Sequence, residues 1–194
     1  MKLALFGYGG HAREVAAQIQ EEIVFFVDDK FVKSTQGKAK PISEFNPETH
    51  MMLVAISDPK EREKIVKRMP LKTLYFTYIH PSVHTMDDNI EVGEGSFIGA
   101  NSILTTNIKM GKHSLLNRGN HIGHDCVIGD YLSMMPGSII SGNVTVGDKV
   151  YMGSNSTIRE KLTICNDVVI GMVSCVVRKI TESGIYVGTP CKKI

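Results

Sequence analysis

From Ile90 to Lys179 the sequence repeats every six residues, and this restricts the fold more than any other feature. Cut into sixes from Ile90, the third position is Val92, Ile98, Leu104 and so on to Val176, fifteen positions that are all aliphatic or Met. An amphipathic helix repeats about every 3.6 residues and cannot hold that register. A six-residue unit is too short to bury its own apolar side, so it must stack on copies of itself, which demands a solenoid. Every third hexad is alike. One phase opens with Ile90, Ile108, Cys126, Val144 and Leu162, another with Ser102, Asn120, Ser138, Ser156 and Ser174. Three hexads therefore make one turn of 18 residues, and the array makes about five turns whose three sides are short parallel strands. The Gly, Asn or Ser that follows most of the inward aliphatic residues is expected at a corner, where a positive φ or a tight bend is needed.

The chain before the repeat alternates strand and helix patterns. Leu3–Gly7 is an apolar run entering GYGGHA, and Ala12, Val15, Ala16 and Ile19 predict a helix over His11–Gln20 with one buried face. Ile23–Val27, Met51–Ile56 and Leu74–Ile79 read as strands. Asp58 as N-cap, Pro59 at the first helical position and Glu61 two further on open a second helix, to about Met69. This order predicts a small Rossmann-like α/β unit with a parallel sheet over residues 1–80, followed by the coil over residues 81–194. The fold class is thus mixed, an α/β domain joined to an all-β parallel helix.

Gly7-x-Gly9-x-x-Ala12, with Asp28 21 residues beyond Gly7, matches a dinucleotide fingerprint. It reads as a site where phosphate approaches a helix N-terminus, or as a tight strand–helix turn whose glycines only permit packing. With about 80 residues and four strands the unit falls short of two mononucleotide-binding halves, so one nucleotide fits better than two. Asp28 and Asp29 end a strand either as ribose or base contacts or as solvated carboxylates.

Lys and Arg number 22 and Asp and Glu 20, a formal net charge of +2, which gives no electrostatic footprint for nucleic acid or an anionic membrane. No stretch reaches the roughly 18–20 apolar residues that span a bilayer, and MKLALFGYGG reads as a first strand, not a signal peptide. A cytoplasmic chain is expected. The four cysteines, Cys126, Cys165, Cys175 and Cys191, lack CxxC pairing and read as reduced packing residues.

One stretch of the coil is chemically unlike the rest: Asn117-Arg118-Gly119-Asn120-His121-Ile122-Gly123-His124-Asp125. His124 follows Gly123 and is expected to project outward at a corner. An imidazole titrates near neutrality and a neighbouring carboxylate orients it, so His124 with Asp125 makes a general base, or an exposed corner histidine without a role. A metal site from His121 and His124 lacks a third ligand at clear spacing, and none is expected.

GYGGHAREV, VDD and HPS, then NRGNHIGHDCVIGD, SGNV, GSNSTI and the terminal GIYVGTPCKKI, resemble the hexapeptide acyltransferases of surface-sugar biosynthesis. These are acetyl-CoA-dependent N-acetyltransferases of nucleotide-linked 4-amino sugars, together with sialic acid O-acetyltransferases. The resemblance covers almost the whole chain. It implies a left-handed β-helix, His124 as general base, Asp125 as the acid that raises its basicity, Asn117 as a neighbour of the site, and the Gly142 amide as donor to the thioester oxygen. It implies a nucleotide-linked amino sugar held by Gly9, Gly10, His11, Asp28, Asp29 and the strand-end residue Ser57. Acetyl-CoA, the co-substrate, would touch Ser133, Gly142, Ser154 and Met172 in a groove between neighbouring subunits of a homotrimer, with no metal. Ser57 stands where relatives often have glycine, Ser133 where some have histidine, and Cys191 where the terminal motif has alanine. The implied reaction is N-acetylation of a 4-amino-4,6-dideoxy sugar. The alternatives are O-acetylation of sialic or another acidic sugar, and a non-catalytic sugar-nucleotide binding protein.

Overall fold

The computed structural model describes all 194 residues. The first domain is a five-stranded sheet built from β1 (Lys2–Phe6), β2 (Ile23–Val27), β3 (Lys40–Pro41), β4 (His50–Val54) and β5 (Leu74–Tyr75). The strands are all parallel, in the order β3-β2-β1-β4-β5. Ala4, Leu5, Met52, Leu53 and Val54 are fully buried, because helices cover both faces of a parallel sheet and the central strands must be apolar throughout. Helix α1 (Gly10–Ala16) is shorter than the pattern predicts. Its continuation is diverted into the domain junction, where Gln18 accepts from the Ala100 amide at 2.8 Å through Oε1 and from the Tyr78 hydroxyl through its carbonyl. Helix α2 (Pro59–Arg68) starts as the sequence predicts, with Asp58 Oδ1 accepting from the Glu61 amide at 2.9 Å.

Leu74–Ile79, expected as one strand, is two. Leu74–Tyr75 pairs with β4, whereas Tyr78–Ile79 pairs with Phe97–Ile98 and already belongs to the coil. The coil is a triangular prism. Its first face stacks Tyr78–Ile79, Phe97–Ile98, Leu115–Leu116, Ser133–Met134, Tyr151–Met152 and Val168–Ile170, and ends in the hairpin Gly184–Gly188 with Cys191–Lys193. The second face stacks six strands, from His84–Thr85 to Cys175–Val176, and the third runs from Ile90–Val92 to Thr163–Ile164. The five turns expected from Ile90 to Lys179 are present, and one further strand, His84–Thr85, precedes them on the second face, with exposed Thr85 at its inward position hiding the repeat. Of the fifteen third-position residues, all but half-buried Val92 are buried.

The corners differ from the expectation in one respect. Positive φ falls three residues after the inward aliphatic residue, at Asn107, Asp125 and Asn143 for example, and not at the glycine directly after it. That glycine serves close approach instead. A Cβ at Gly123 would stand 2.6 Å from the Gly142 amide nitrogen in the next turn.

The first domain lies against the first face of the coil. Phe97 and Leu115, which point out of the coil, pack among Leu5, Val15 and Phe76. At the centre of the junction is Arg62 of α2, fully buried, with no carboxylate in salt-bridge contact. Its guanidinium donates to the carbonyls of Ile56 at 2.6 Å, His113 at 2.7 Å, Tyr131 at 2.7 Å and Leu132 at 3.0 Å. Burial pulls its pKa down to about 9, which leaves it charged at neutral pH.

Candidate active site

Two sites emerge, on opposite sides of the coil. The first is a cleft of about 450 Å³ at the C-terminal ends of β1, β2 and β4, where the strand order reverses direction. Gly7, Gly9 and Asp28 line it, facing Phe31 and Thr35 of the 3₁₀ segment Asp29–Thr35. Gly7 has φ +115° and needs to be glycine. Gly9 caps α1, and a Cβ there meets nothing, so its value is open space for a ligand at the helix start. Asp28 is already engaged, since Oδ1 accepts from the Arg68 guanidinium, which also lies 5.3 Å from the Phe6 ring centroid.

The other residues implied for this site do not line the cleft. Gly10 is the first residue of α1. Asp29 turns to Ser43, whose amide donates to its Oδ1 at 3.2 Å, and the Ser43 bonds hold the Asp29 carboxyl below its usual range. His11 is half-buried beside Glu14 and Arg62, with an unpaired Nε2, and burial lowers its pKa. The Ser57 carbonyl accepts from the Ser133 hydroxyl at 2.7 Å. The cleft residues that motif reading overlooks are Tyr8, Phe31, Ser34, Thr35 and Glu61. They sit in turn-like or helical sequence with no spacing signal.

The second site is the edge between the second and third faces. His124 Nδ1 and Asp125 Oδ2 are 2.7 Å apart, both side chains are about half exposed, and Asn107 Nδ2 donates to Asp125 Oδ1 at 2.7 Å. Those two contacts, Asn107 first and His124 second, hold the Asp125 carboxyl below its ordinary range. With Nδ1 committed to the carboxylate, Nε2 is the free ring nitrogen, and it lies directly over Gly142 Cα, where a side chain would collide with it. The Gly142 amide donates to no group in the chain. A base and an unspent donor thus share one small patch.

Asn117 lies at the other end of the second face. It is buried, accepts from the Arg118 amide at 2.8 Å and approaches Glu14 of α1 at 3.5 Å, so it supports the domain junction and does not touch His124. Ser133 is fully buried, and its hydroxyl is spent on Ser57. Ser154 and exposed Met172 stand on the edge between the first and second faces, a whole face away from His124 and Gly142. Within one chain, the residues implied for acetyl-CoA are therefore not one site.

Residues 2–69 match the family described as PglD N-terminal domain. The matched residues lie within the first domain. Over the full chain the fold is shared with several solved structures. WeeI from Acinetobacter baumannii AYE is 26% identical with a TM-score of 0.89, and the alignment covers 100% of both chains. The perosamine N-acetyltransferase from Caulobacter crescentus, solved as a histidine-to-asparagine mutant with CoA and GDP-perosamine, is 22% identical with a TM-score of 0.88, covering 100% of this chain and 97% of that one. The acetyltransferase domain of PglB from Neisseria gonorrhoeae FA1090 is 23% identical with a TM-score of 0.86, covering 100% and 99%. Among curated proteins none matches. The second domain is accordingly a left-handed parallel β-helix of the hexapeptide-repeat kind. No helix is long and apolar enough to cross a membrane.

Proposed function

We propose that the protein transfers the acetyl group of acetyl-CoA to the amino group of a nucleotide-linked 4-amino-4,6-dideoxy sugar. The observation that carries the reading is the His124–Asp125 pair with its free Nε2 set over Gly142, whose amide has no partner. The amine attacks the thioester carbonyl while Nε2 takes its proton. Asp125 stabilises the imidazolium, the Gly142 N–H stabilises the oxyanion, and His124 returns the proton to the departing thiolate. The Caulobacter relative of the same fold was solved with CoA and GDP-perosamine, which supports both the thioester and the nucleotide-sugar class.

The sugar nucleotide is held by the cleft of the first domain, Gly9 at its phosphates and Asp28 at its ribose or base. That domain covers the first face of the coil, and the His124 edge is the one edge that does not border this face. A chain's own cleft thus lies across the coil from its own His124. We therefore place the working site between copies. The cleft of one protomer serves the His124 edge of the next, and acetyl-CoA lies between that edge and a neighbour's Ser154–Met172 edge, in a homotrimer. A thiol-release assay with acetyl-CoA against a panel of nucleotide-linked 4-amino sugars, with a sialic acid as the hydroxyl acceptor, tests the reaction. Release with an amino sugar and none with His124→Ala is expected. Release only with the hydroxyl acceptor would convert the reading to O-acetylation, and release with neither would remove it.

A further inference from the structure

The edge that carries His124 has an unusual base. His84 pairs with Ile103 and Ile90 with Ile108, so the corner at 86–89 holds one residue more than the corner above it. Asp87 ties this longer corner down, accepting from the Asn89 amide at 3.0 Å and from the Thr106 hydroxyl. Side-chain hydrogen bonds then climb the edge one turn at a time. Asn89 Nδ2 donates to Asn107 Oδ1 at 3.0 Å, Asn107 Nδ2 donates to Asp125 Oδ1 at 2.7 Å, and Asp125 Oδ2 meets His124 Nδ1 at 2.7 Å. We infer that Asn107 is a positioning residue, pinning one oxygen of Asp125 so that the other is presented to His124. The inference rests on the proposed role of His124.

A half-exposed carboxylate rotates freely about its last torsion, and one bond to an imidazole does not fix it. Two bonds to different oxygens do, and the Asn107 bond supplies the second. Asn89 in turn occupies Asn107 Oδ1, which fixes the amide so that its N–H groups face Asp125; chains of this kind strengthen one another. The Asn107 bond also contributes most to keeping Asp125 ionised, ahead of His124 itself, the only titratable neighbour that acts on it. The competing explanation is that asparagine merely suits a left-handed corner, φ +51° at Asn107. Asn101 and Asn155 are such corners on another edge, at φ +58° and +55°, and their side chains make no hydrogen bond. Asn107 does what those two do not.

Asn107→Gly keeps the backbone conformation and removes the amide. It should lower kcat about tenfold, the worth of one hydrogen bond to a charged group, with KM for both substrates within about twofold. In the Asn107→Gly/Asp125→Asn double variant kcat should equal that of Asp125→Asn alone, because Asn107 acts only through Asp125. Asn101→Gly should match wild type. Wild-type kcat in Asn107→Gly, or losses that multiply in the double variant, would overturn the inference. Nitrogen NMR of the His124 ring adds a readout without turnover. Wild type should hold the Nδ1–H tautomer and Asn107→Gly should release it to a mixture; an unchanged tautomer would overturn the inference too. If wild type acetylates nothing, the functional reading fails and this arm still decides Asn107.

Discussion

Replacing Arg62 with Met should loosen the first domain from the coil without unfolding the coil. The guanidinium bridges α2, the end of β4 and two coil corners, and three of the carbonyls it reaches, those of Ile56, His113 and Tyr131, accept no other backbone bond. Leu132 keeps a partner, since its carbonyl also accepts from the Leu115 amide at 2.8 Å. Met fills similar space but donates nothing, so three acceptors, one buried and two partly buried, are orphaned at roughly 1–3 kcal/mol each. Relief from burying the charge offsets part of this. A net loss of about 3–5 kcal/mol follows, or about 6–20 °C in Tm for a chain of this size. Thermal melting followed by circular dichroism measures the total, and hydrogen exchange locates it. Amides of α2 and the 111–114 and 129–132 corners should lose protection while the upper coil keeps it. A Tm within about 2 °C of wild type, with protection unchanged, would refute the claim that these bonds fix the domain junction.

Gly142→Ala should fold normally and lose at least about tenfold in kcat, because the new methyl occupies the place of His124 Nε2 and Cε1 and turns the ring off the reacting atoms; steady-state kinetics beside a melting curve checks it. His124→Ala should reduce kcat by about 10²–10⁴-fold with the melting temperature retained, and activity within a few-fold of wild type would take His124 out of the mechanism. His113 is buried between Tyr75 and Tyr131, and burial pushes its pKa down to about 4. The unfolded chain therefore binds this proton first: the stability owed to neutral His113 is complete above about pH 6.5 and lost as pH falls toward 4. Denaturant titrations at pH 7 and pH 5 should differ by about 2 kcal/mol, and His113→Asn should flatten that slope.

The solenoid is legible because fourteen of its third-position side chains end up buried at every sixth residue, a period that no other architecture produces. The Asp58 cap and the α1 turn are legible because capping is local chemistry. What the sequence hides is long-range. Nothing near Ser133 indicates that its hydroxyl is spent on Ser57, 76 residues earlier, nor near Asn117 that it faces Glu14. Arg62 reads as one more cation on a charged helix, and only its packing shows that it is the buried pin of the junction. The Asn107 step escapes motif reading because asparagine at an 18-residue interval looks like ordinary corner chemistry.

The central claim, that the cleft of one copy feeds His124 of another, is tested most directly by mixing two inactive proteins. Gly9→Val blocks the cleft at a position where an added Cβ meets no atom of its own chain, while His124→Ala removes the base. Refolded together in equal amounts, copies exchange at random, and a site formed between copies is intact in about a quarter of cases. Acetyl transfer should therefore return to about a quarter of the wild-type rate. If the mixture stays as inactive as its components while mixed trimers are shown to form, each chain serves its own His124 and the account is wrong.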